Sequence, residues 1–249
     1  MIPAPVGFQC PDCVRAAAPP QPTTVAGGRL ITNPFVTYTL IGINLALFAI
    51  QLLVGIDEIA KTLGMWPIGI ALGGEWWRLA TAAFLHGSIL HIAFNMYVLF
   101  VLGPTLERIL GHMRFIVLYG MAAFGGAVAS YVFSDVRTVS VGASGAIFGL
   151  MGALVVAGQR LRYDIRQVVI LLAINVVIGF IAPNVDWRAH LGGLVTGALV
   201  AAIMVLPKRG HRMLVQVLGL CSLGIALAAV AAWRTADLIQ TYGPFVEVT

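Results

Sequence analysis

Charged residues are scarce in this sequence: Asp, Glu, Lys and Arg make up 10% of its 249 positions. A soluble globular domain carries about 25%, so the composition excludes an ordinary soluble fold. Hydrophobic residues make up 59% of the chain, and the mean hydropathy is +0.94. The composition therefore predicts a polytopic membrane protein.

Cysteine is also scarce, with three residues in the chain. Because Cys10 and Cys13 lie near the N-terminus and Cys221 lies in a late apolar stretch, no disulfide framework is predicted. The first pair resembles half of a zinc knuckle, but a structural zinc site needs four ligands. The pair is interpreted either as part of an unmetallated flexible tail or as a zinc half-site.

The sequence predicts neither a signal peptide nor a nucleic-acid-binding surface. The first thirty residues are rich in Pro, Gly and Ala and lack the apolar core of a signal peptide. The net charge of +5 comes from basic residues in short runs between apolar segments. This distribution is typical of membrane orientation signals, so no nucleic-acid partner is expected.

Seven apolar stretches are long enough to cross a bilayer, which takes about 20 residues per helix. They cover residues 34–54, 80–102, 114–133, 141–159, 166–183, 189–207 and 213–233. The segment 55–79 is too long for a tight turn, and its Trp and apolar residues predict a structured loop in the outer interface.

The placement of basic residues predicts the orientation of these spans. With the N-terminus in the cytoplasm, the inner side holds Arg15, Arg29, Arg108, Arg114, Arg160, Arg162, Arg166, Lys208, Arg209 and Arg212. The outer side holds Lys61, Arg78, Arg137, Arg188 and Arg234. We therefore expect a multi-pass plasma-membrane protein with a cytoplasmic N-terminus and an outer C-terminus.

Polar residues inside the spans are few, and such residues are functional candidates by default. They are His86, His91, Asn95, Ser144 and His190. In the predicted orientation all five lie in the outer half of their spans. His91 and Asn95 are four residues apart and share a helical face, whereas His86, near the helix entrance, does not. A lone His or Asn could equally hydrogen-bond two helices together.

Ser144 lies where the fourth span opens, between Gly142 and Gly145. An isolated serine in a spanning helix is usually a packing residue, but here bare backbone flanks it on both sides. At a helix start its hydroxyl and N–H would face the positive end of the helix dipole, which favours an oxyanion.

His190 is followed by Gly193 and Gly197, a GxxxG spacing that permits close helix crossing. The fourth span offers a matching pair, Gly145 and Gly149. Two helices packed through these glycines would bring the histidine within hydrogen-bonding reach of the serine, about 2.6–3.2 Å.

Other intramembrane chemistries are excluded by the same inventory. No Glu follows His86 in the HExxH pattern of metalloproteases, so no metal site is expected in the spans. Lys61 and Lys208 both fall in loops, which excludes a Ser–Lys dyad. All six Asp residues lie outside the spans, which excludes an aspartyl dyad.

Taken in order, these motifs resemble the bacterial rhomboid proteases over about residues 34–207. The matching positions are Trp77-Arg78, then His86, His91 and Asn95, then Glu107-Arg108, then Gly142-Ala143-Ser144-Gly145, and finally Ala189-His190 with Gly193 and Gly197. A histidine sometimes found just before the His86 motif is absent, since Ala82 and Ala83 stand there. Some relatives carry a longer cysteine-rich leader, so a truncated start is one expectation for this sequence, and zinc binding by the Cys10 and Cys13 pair is the other.

The resemblance implies an all-α, rhomboid-like six-helix bundle plus a C-terminal seventh helix. Residues 1–33 would form a cytoplasmic tail with the CxxC pair, 34–207 the protease core, and 208–249 the seventh helix with an outer tail. No cofactor is implied, and the partners would be the lipid bilayer and transmembrane protein substrates.

The resemblance also implies an intramembrane serine endopeptidase. Ser144 would be the nucleophile and His190 its base, without a third acid, and His91, Asn95 and the Ser144 N–H would form the oxyanion hole. The supporting residues would be Phe148, stacked on the imidazole, the loop-organising His86, and Gly142, Gly145, Gly193, Gly197, Trp77 and Arg78. The alternative is a catalytically inactive rhomboid-like protein that binds membrane-protein clients or acts in quality control.

Overall fold

The structure, a computed structural model, describes residues 1–5, 7–17, 23–162, 164–181 and 185–245. Its helices are α1 (Pro11–Ala17), α2 (Phe35–Val54), α3 (Ile56–Leu63), α4 (Pro67–Ala71), α5 (Arg78–Thr81), α6 (Ile89–Leu110), α7 (His112–Phe133), α8 (Ser144–Leu161), α9 (Arg166–Ile181), α10 (Trp187–Val205) and α11 (Arg212–Tyr242). A small antiparallel hairpin, β1 (Ile2–Ala4) and β2 (Gly7–Gln9), precedes α1. The predicted all-α polytopic class is confirmed.

Six of the described helices are long and apolar enough to cross a membrane: α2, α6, α7, α8, α10 and α11. The fifth predicted span corresponds to α9, an apolar helix of 16 residues, shorter than the roughly 20 residues of a perpendicular crossing. Each of the seven predicted stretches therefore contains one long helix, and α9 is the shortest of these seven.

The boundary of the second span differs from the prediction of 80–102. Residues before Ser88 form the short α5 and a 3₁₀ turn, and α6 begins only at Ile89. Ser88 caps the new helix, since its side chain accepts a hydrogen bond of 3.1 Å from the His91 N–H. The prediction that His86 lies inside the span is wrong, because that residue precedes the cap.

Helix α8 lies at the centre of the bundle, and α11 lies at its edge. In the apolar 18-residue stretch of each helix, 67% of the residues are buried in α8 and 6% in α11. Helix α8 packs against α6, α7, α9 and α10, whereas α11 packs against α7, α10 and α4. The long last helix therefore lies at the edge of the bundle, to whose core it contributes the buried Ala231 and Leu238.

The segment 55–79 is structured, as predicted, and contains α3 and α4. It also pairs, through backbone hydrogen bonds, with the extended residues that precede α8. Met65 and Ser140 exchange two backbone hydrogen bonds of 2.9 Å, and the Gly142 N–H donates to the Ala82 carbonyl at 2.9 Å. The loop between the first two spans thus fixes the chain that leads into α8.

Candidate active site

Ser144 is the first residue of α8. Two residues earlier, Gly142 has a φ of +141°, a backbone conformation that residues with a side chain rarely adopt. The N-cap residue, Ala143, provides no side-chain hydrogen bond to the helix. The first N–H groups of α8 therefore have no side-chain cap, and the serine lies at the positive end of the helix dipole.

His91 borders the same small space as Ser144. A Cβ atom added to Gly142 would lie 2.9 Å from His91 Nε2 and 3.4 Å from Ser144 Oγ. The Gly87 N–H donates to His91 Nδ1 at 3.4 Å, which leaves the ring hydrogen on Nε2. The imidazole therefore offers an N–H donor to the space beside the serine hydroxyl.

Asn95 lies one turn further along α6 and is buried. Its Nδ2 donates to the His91 carbonyl at 2.8 Å, which holds the amide against the turn that carries His91. A primary amide has two N–H donors, so this bond leaves the second hydrogen for another acceptor.

His190 is the fourth residue of α10, and its ring stacks on Phe148 of α8. The ring centroids are 4.1 Å apart, with 13° between the planes. A Cβ atom added to Gly179 of α9 would lie 3.3 Å from His190 Nδ1. That nitrogen is buried and has no hydrogen-bond partner among the residues that the structure describes. Stacking on Phe148 is the described contact that orients the imidazole.

Helices α8 and α10 touch through their backbones. A Cβ atom on Gly193 would overlap the Gly145 carbonyl, and one on Gly197 would overlap the Gly149 carbonyl. Because residue 193 lies opposite 145 and 197 opposite 149, the two helices run parallel. A Cβ on Gly145 would also lie 3.3 Å from the Ala189 carbonyl, so the residue after Ser144 packs against the residue before His190.

His86 is fully buried in the loop that precedes α6. Gln51 of α2 holds its backbone: Nε2 donates to the His86 carbonyl at 3.2 Å, and the His86 N–H donates to Oε1 at 3.0 Å. Burial, and secondarily the nearby His91, lowers the pKa of His86 to about 3. The His86 and His91 rings meet edge to face, with their centroids 5.1 Å apart. The expectation from helical spacing that the two residues lie apart is therefore wrong, because His86 is not in the helix.

Arg78 organises the loop between the first two spans. It is 3% exposed, its Nε donates to Glu75 Oε2 at 2.6 Å, and its Nη1 donates to the carbonyls of Lys61 and Gly64 at 2.8 and 2.9 Å. The neighbouring Trp77 is 51% exposed. Arg78 therefore stabilises the loop that supports the start of α8, and Trp77 lies on the surface of this loop.

Asp186 is a supporting residue that the sequence analysis missed. It caps α10, since its Oδ1 accepts hydrogen bonds of 3.2 Å from the N–H groups of Arg188 and Ala189. Its Oδ2 accepts a hydrogen bond from the Ser130 hydroxyl of α7. An Asp directly before an apolar helix is an N-cap signal, and it would have identified this residue, which fixes the first turn that carries His190.

Glu107, part of a predicted motif, lies at the end of the bundle opposite Ser144. Its buried carboxylate accepts hydrogen bonds from the N–H groups of Val36 and Thr37 at 3.0 and 2.8 Å, and so caps α2. It also contacts His112 Nδ1 at 2.6 Å. This motif therefore has a structural role: Glu107 of α6 joins this helix to the start of α2.

The cysteine pair does not meet further metal ligands in the part of the chain that the structure describes. Cys10 and Cys13 are exposed, and they lie just after the β1–β2 hairpin. Within the described residues, no group of three or more His, Cys, Asp or Glu side chains is arranged to hold a metal ion.

Comparisons with known proteins identify the family of this chain. Residues 73–207 match the family model of the Rhomboid domain. The chain is 38% identical over 186 residues to the rhomboid protease GluP of Bacillus subtilis (strain 168), covering 72% of this chain and 36% of GluP. It is 39% identical over 146 residues to the putative rhomboid protease YdcA of the same organism, covering 57% of this chain and 73% of YdcA. Over 224 residues it is 29% identical to the rhomboid protease AarA of Providencia stuartii, covering 76% and 78% of the two chains. The chain is a multi-pass membrane protein, and it belongs to the rhomboid family.

Proposed function

We propose that this chain is an intramembrane serine endopeptidase that hydrolyses peptide bonds in or next to the transmembrane helices of membrane proteins. The observation that carries the proposal is the meeting of two parallel helices at their N-terminal ends. One begins with Ser144, and the other presents His190 on the face of Phe148. A hydroxyl and an oriented imidazole in such a place are the two groups that nucleophilic catalysis requires.

In the proposed reaction, His190 removes the proton from the Ser144 hydroxyl as Oγ attacks the carbonyl carbon of the substrate. The tetrahedral intermediate collapses, the imidazolium returns the proton to the leaving amine, and an acyl-enzyme remains. A water molecule, deprotonated by the same imidazole, then releases the acid and restores the serine. Since packing on Phe148 orients the ring, the reaction proceeds without a third acid.

The oxyanion would form beside Gly142, in the space that His91 and Ser144 share. The N–H of His91 Nε2, the amide of Asn95 and the backbone N–H of Ser144 are the proposed donors. They are fixed before the substrate arrives, because Gly87 and the α6 backbone hold the two side chains. Preorganised donors of this kind lower the barrier of acyl transfer without reorganising during the reaction.

The substrate would reach the serine from the bilayer. An apolar cavity of about 40 Å³ lies beside His190 and is lined by Phe148, Val176, Gly179, Trp187, His190, Leu191 and Leu194. It lies between α8, α9 and α10, so an apolar side chain of an unwound helix can occupy it next to the reacting groups. We place the enzyme in the plasma membrane with its N-terminus in the cytoplasm, from the distribution of basic residues.

The proposal is tested with Ser144→Ala, which removes one hydroxyl and little volume. We expect wild type to cleave a fluorescent transmembrane-helix substrate in detergent and to react with a fluorophosphonate probe, and the variant to do neither. Ser222→Ala, an exposed serine on α11, is the matched control and should behave as wild type. Equal labelling of wild type and Ser144→Ala would refute the nucleophile, and an unlabelled, inactive wild type would favour the inactive rhomboid-like alternative.

A further inference from the structure

A second polar site lies at the end of the bundle opposite Ser144. It is a pocket of about 260 Å³ lined by Thr23, Thr24, Val25, Arg160, Leu206, Pro207, Lys208 and Arg212, here called the basic pocket. Its volume is several times the roughly 30 Å³ that one water molecule occupies in the liquid. The pocket is formed where α8 and α10 end and α11 begins, so it is separated from the serine by the length of a spanning helix.

The near wall of the basic pocket is built by the N-terminal segment 23–29, which packs against the bundle. Ala26 in this segment is completely buried. Gln216 of α11 fixes it, since Nε2 donates to the Ala26 carbonyl at 2.9 Å and to the Met204 carbonyl at 2.7 Å. The Gly28 N–H donates to the Thr24 hydroxyl at 2.9 Å. The pocket therefore has a fixed wall.

Positive charge is concentrated around the basic pocket. Arg160, Lys208 and Arg212 line it, and Arg114 lies behind Gly27, whose added Cβ would be 3.0 Å from Arg212 Nη1 and 3.9 Å from Arg114 Nη2. None of these four residues takes part in an ion pair between described residues. Arg212 Nε is buried without a hydrogen-bond partner among those residues.

The start of α11 adds to the positive potential. The helix begins at Arg212 and runs for 31 residues, and no side chain caps its N-terminus. Uncapped N–H groups at a helix start bind anions and attract phosphate in particular. Arginine side chains give a phosphate group two parallel hydrogen bonds. The charges and the helix start therefore favour the same chemical group, a phosphate.

We propose that the basic pocket binds a phosphate group. The ligand is either the head group of an anionic phospholipid, whose phosphate lies at the level where spanning helices end, or a free phosphate ion. Basic residues near a membrane surface attract anionic lipids strongly enough that removing two of them weakens binding roughly 30-fold. The site is independent of the proposed proteolysis, because it shares no residue with the Ser144 site.

The test uses the full chain purified in an uncharged maltoside detergent. Short-chain phosphatidylglycerol, phosphatidylcholine with the same acyl chains, and inorganic phosphate are added separately, and bound ligand is counted by native mass spectrometry alongside thermal unfolding. The pocket variant is Arg160→Gln with Lys208→Gln; both side chains are exposed, so folding is not perturbed. The matched control is Arg162→Gln with Arg166→Gln, two exposed basic residues on the same end of the bundle that do not line the pocket.

We expect one phosphatidylglycerol to bind wild type and the control variant, and the pocket variant to bind it roughly 30-fold more weakly. Phosphatidylcholine should not discriminate between the three proteins. If inorganic phosphate reproduces the pocket-dependent stabilisation, the proposal holds with free phosphate as the ligand; if only phosphatidylglycerol does, the ligand is the lipid. Equal binding of every probe to wild type and to the pocket variant would overturn the proposal, as would an equal loss in the control variant.

Discussion

The contact between α8 and α10 makes a quantitative prediction about Gly193→Ala. The added Cβ would lie 2.6 Å from the Gly145 carbonyl carbon and closer still to its oxygen. Carbon atoms in ordinary contact are about 3.5–4.0 Å apart, so the helices must separate by roughly 1 Å at this point. The contact cannot be relieved by rotating a side chain, because an alanine Cβ is fixed to its backbone and the Gly145 atoms that it meets are backbone atoms.

This separation acts on the proposed dyad more than on the fold. Overpacking a core typically costs about 1–3 kcal/mol, which a multi-helix bundle can tolerate. A displacement of about 1 Å between reacting groups, however, lowers turnover by roughly 100-fold, and Ser144 and His190 are carried by the two helices that move apart. We therefore expect Gly193→Ala to insert and fold while its kcat falls about 100-fold.

Gly120→Ala in α7 is the matched control, because a Cβ at that position meets no atom within 4 Å. Both variants replace a helical glycine by alanine, so any gain in helix propensity is the same in each. The assay compares kcat for a transmembrane-helix substrate with the midpoint of thermal unfolding in detergent. Wild-type turnover in Gly193→Ala, with an unchanged midpoint, would refute the close contact on which the reasoning rests.

Three further predictions concern the donors, the orientation and the helix cap. His91→Ala and Asn95→Ala should each lower kcat by about 10²–10³ while leaving measurable cleavage; wild-type turnover in both would refute the oxyanion assignment. Single cysteines placed at Asp57 and Arg162 should react with an impermeant thiol reagent in intact cells at the first position only; the reverse result would invert the topology. Asp186→Ala should lower the free energy of unfolding by about 1 kcal/mol through loss of the cap, and it should also reduce kcat. Asp186→Asn keeps an acceptor oxygen and should restore both. A decrease in stability without a change in kcat would show that the cap does not position His190.

The polar residues of the spans could be identified from the sequence because a membrane makes such residues expensive. Ser144, His190, His91 and Asn95 are conspicuous within apolar stretches, and the glycine spacing after His190 predicts the crossing that the structure shows between α8 and α10. The local pattern suffices here, since helix geometry alone decides which residues share a face.

Contacts between distant segments could not be predicted in this way. The boundary at Ile89 depends on Ser88 acting as a cap, and an apolar run of residues does not reveal where its helix begins. The Gln51 clamp on His86 joins residues 35 positions apart, and the docking of Ala26 on Gln216 joins residues 190 positions apart. Each depends on tertiary packing that no single stretch of sequence encodes.

The two parallel helices of the site differ in how their N-termini are satisfied. Both positive ends point to the same region, which is unfavourable until negative charge develops there. The Asp186 carboxylate caps α10 and offsets its positive end, whereas Ala143 leaves α8 without a side-chain cap. The N–H groups left available are thus those at Ser144, where the proposed oxyanion forms. A capping side chain at position 143 would occupy these donors, so the absence of a cap on α8 is itself part of the proposed catalytic arrangement.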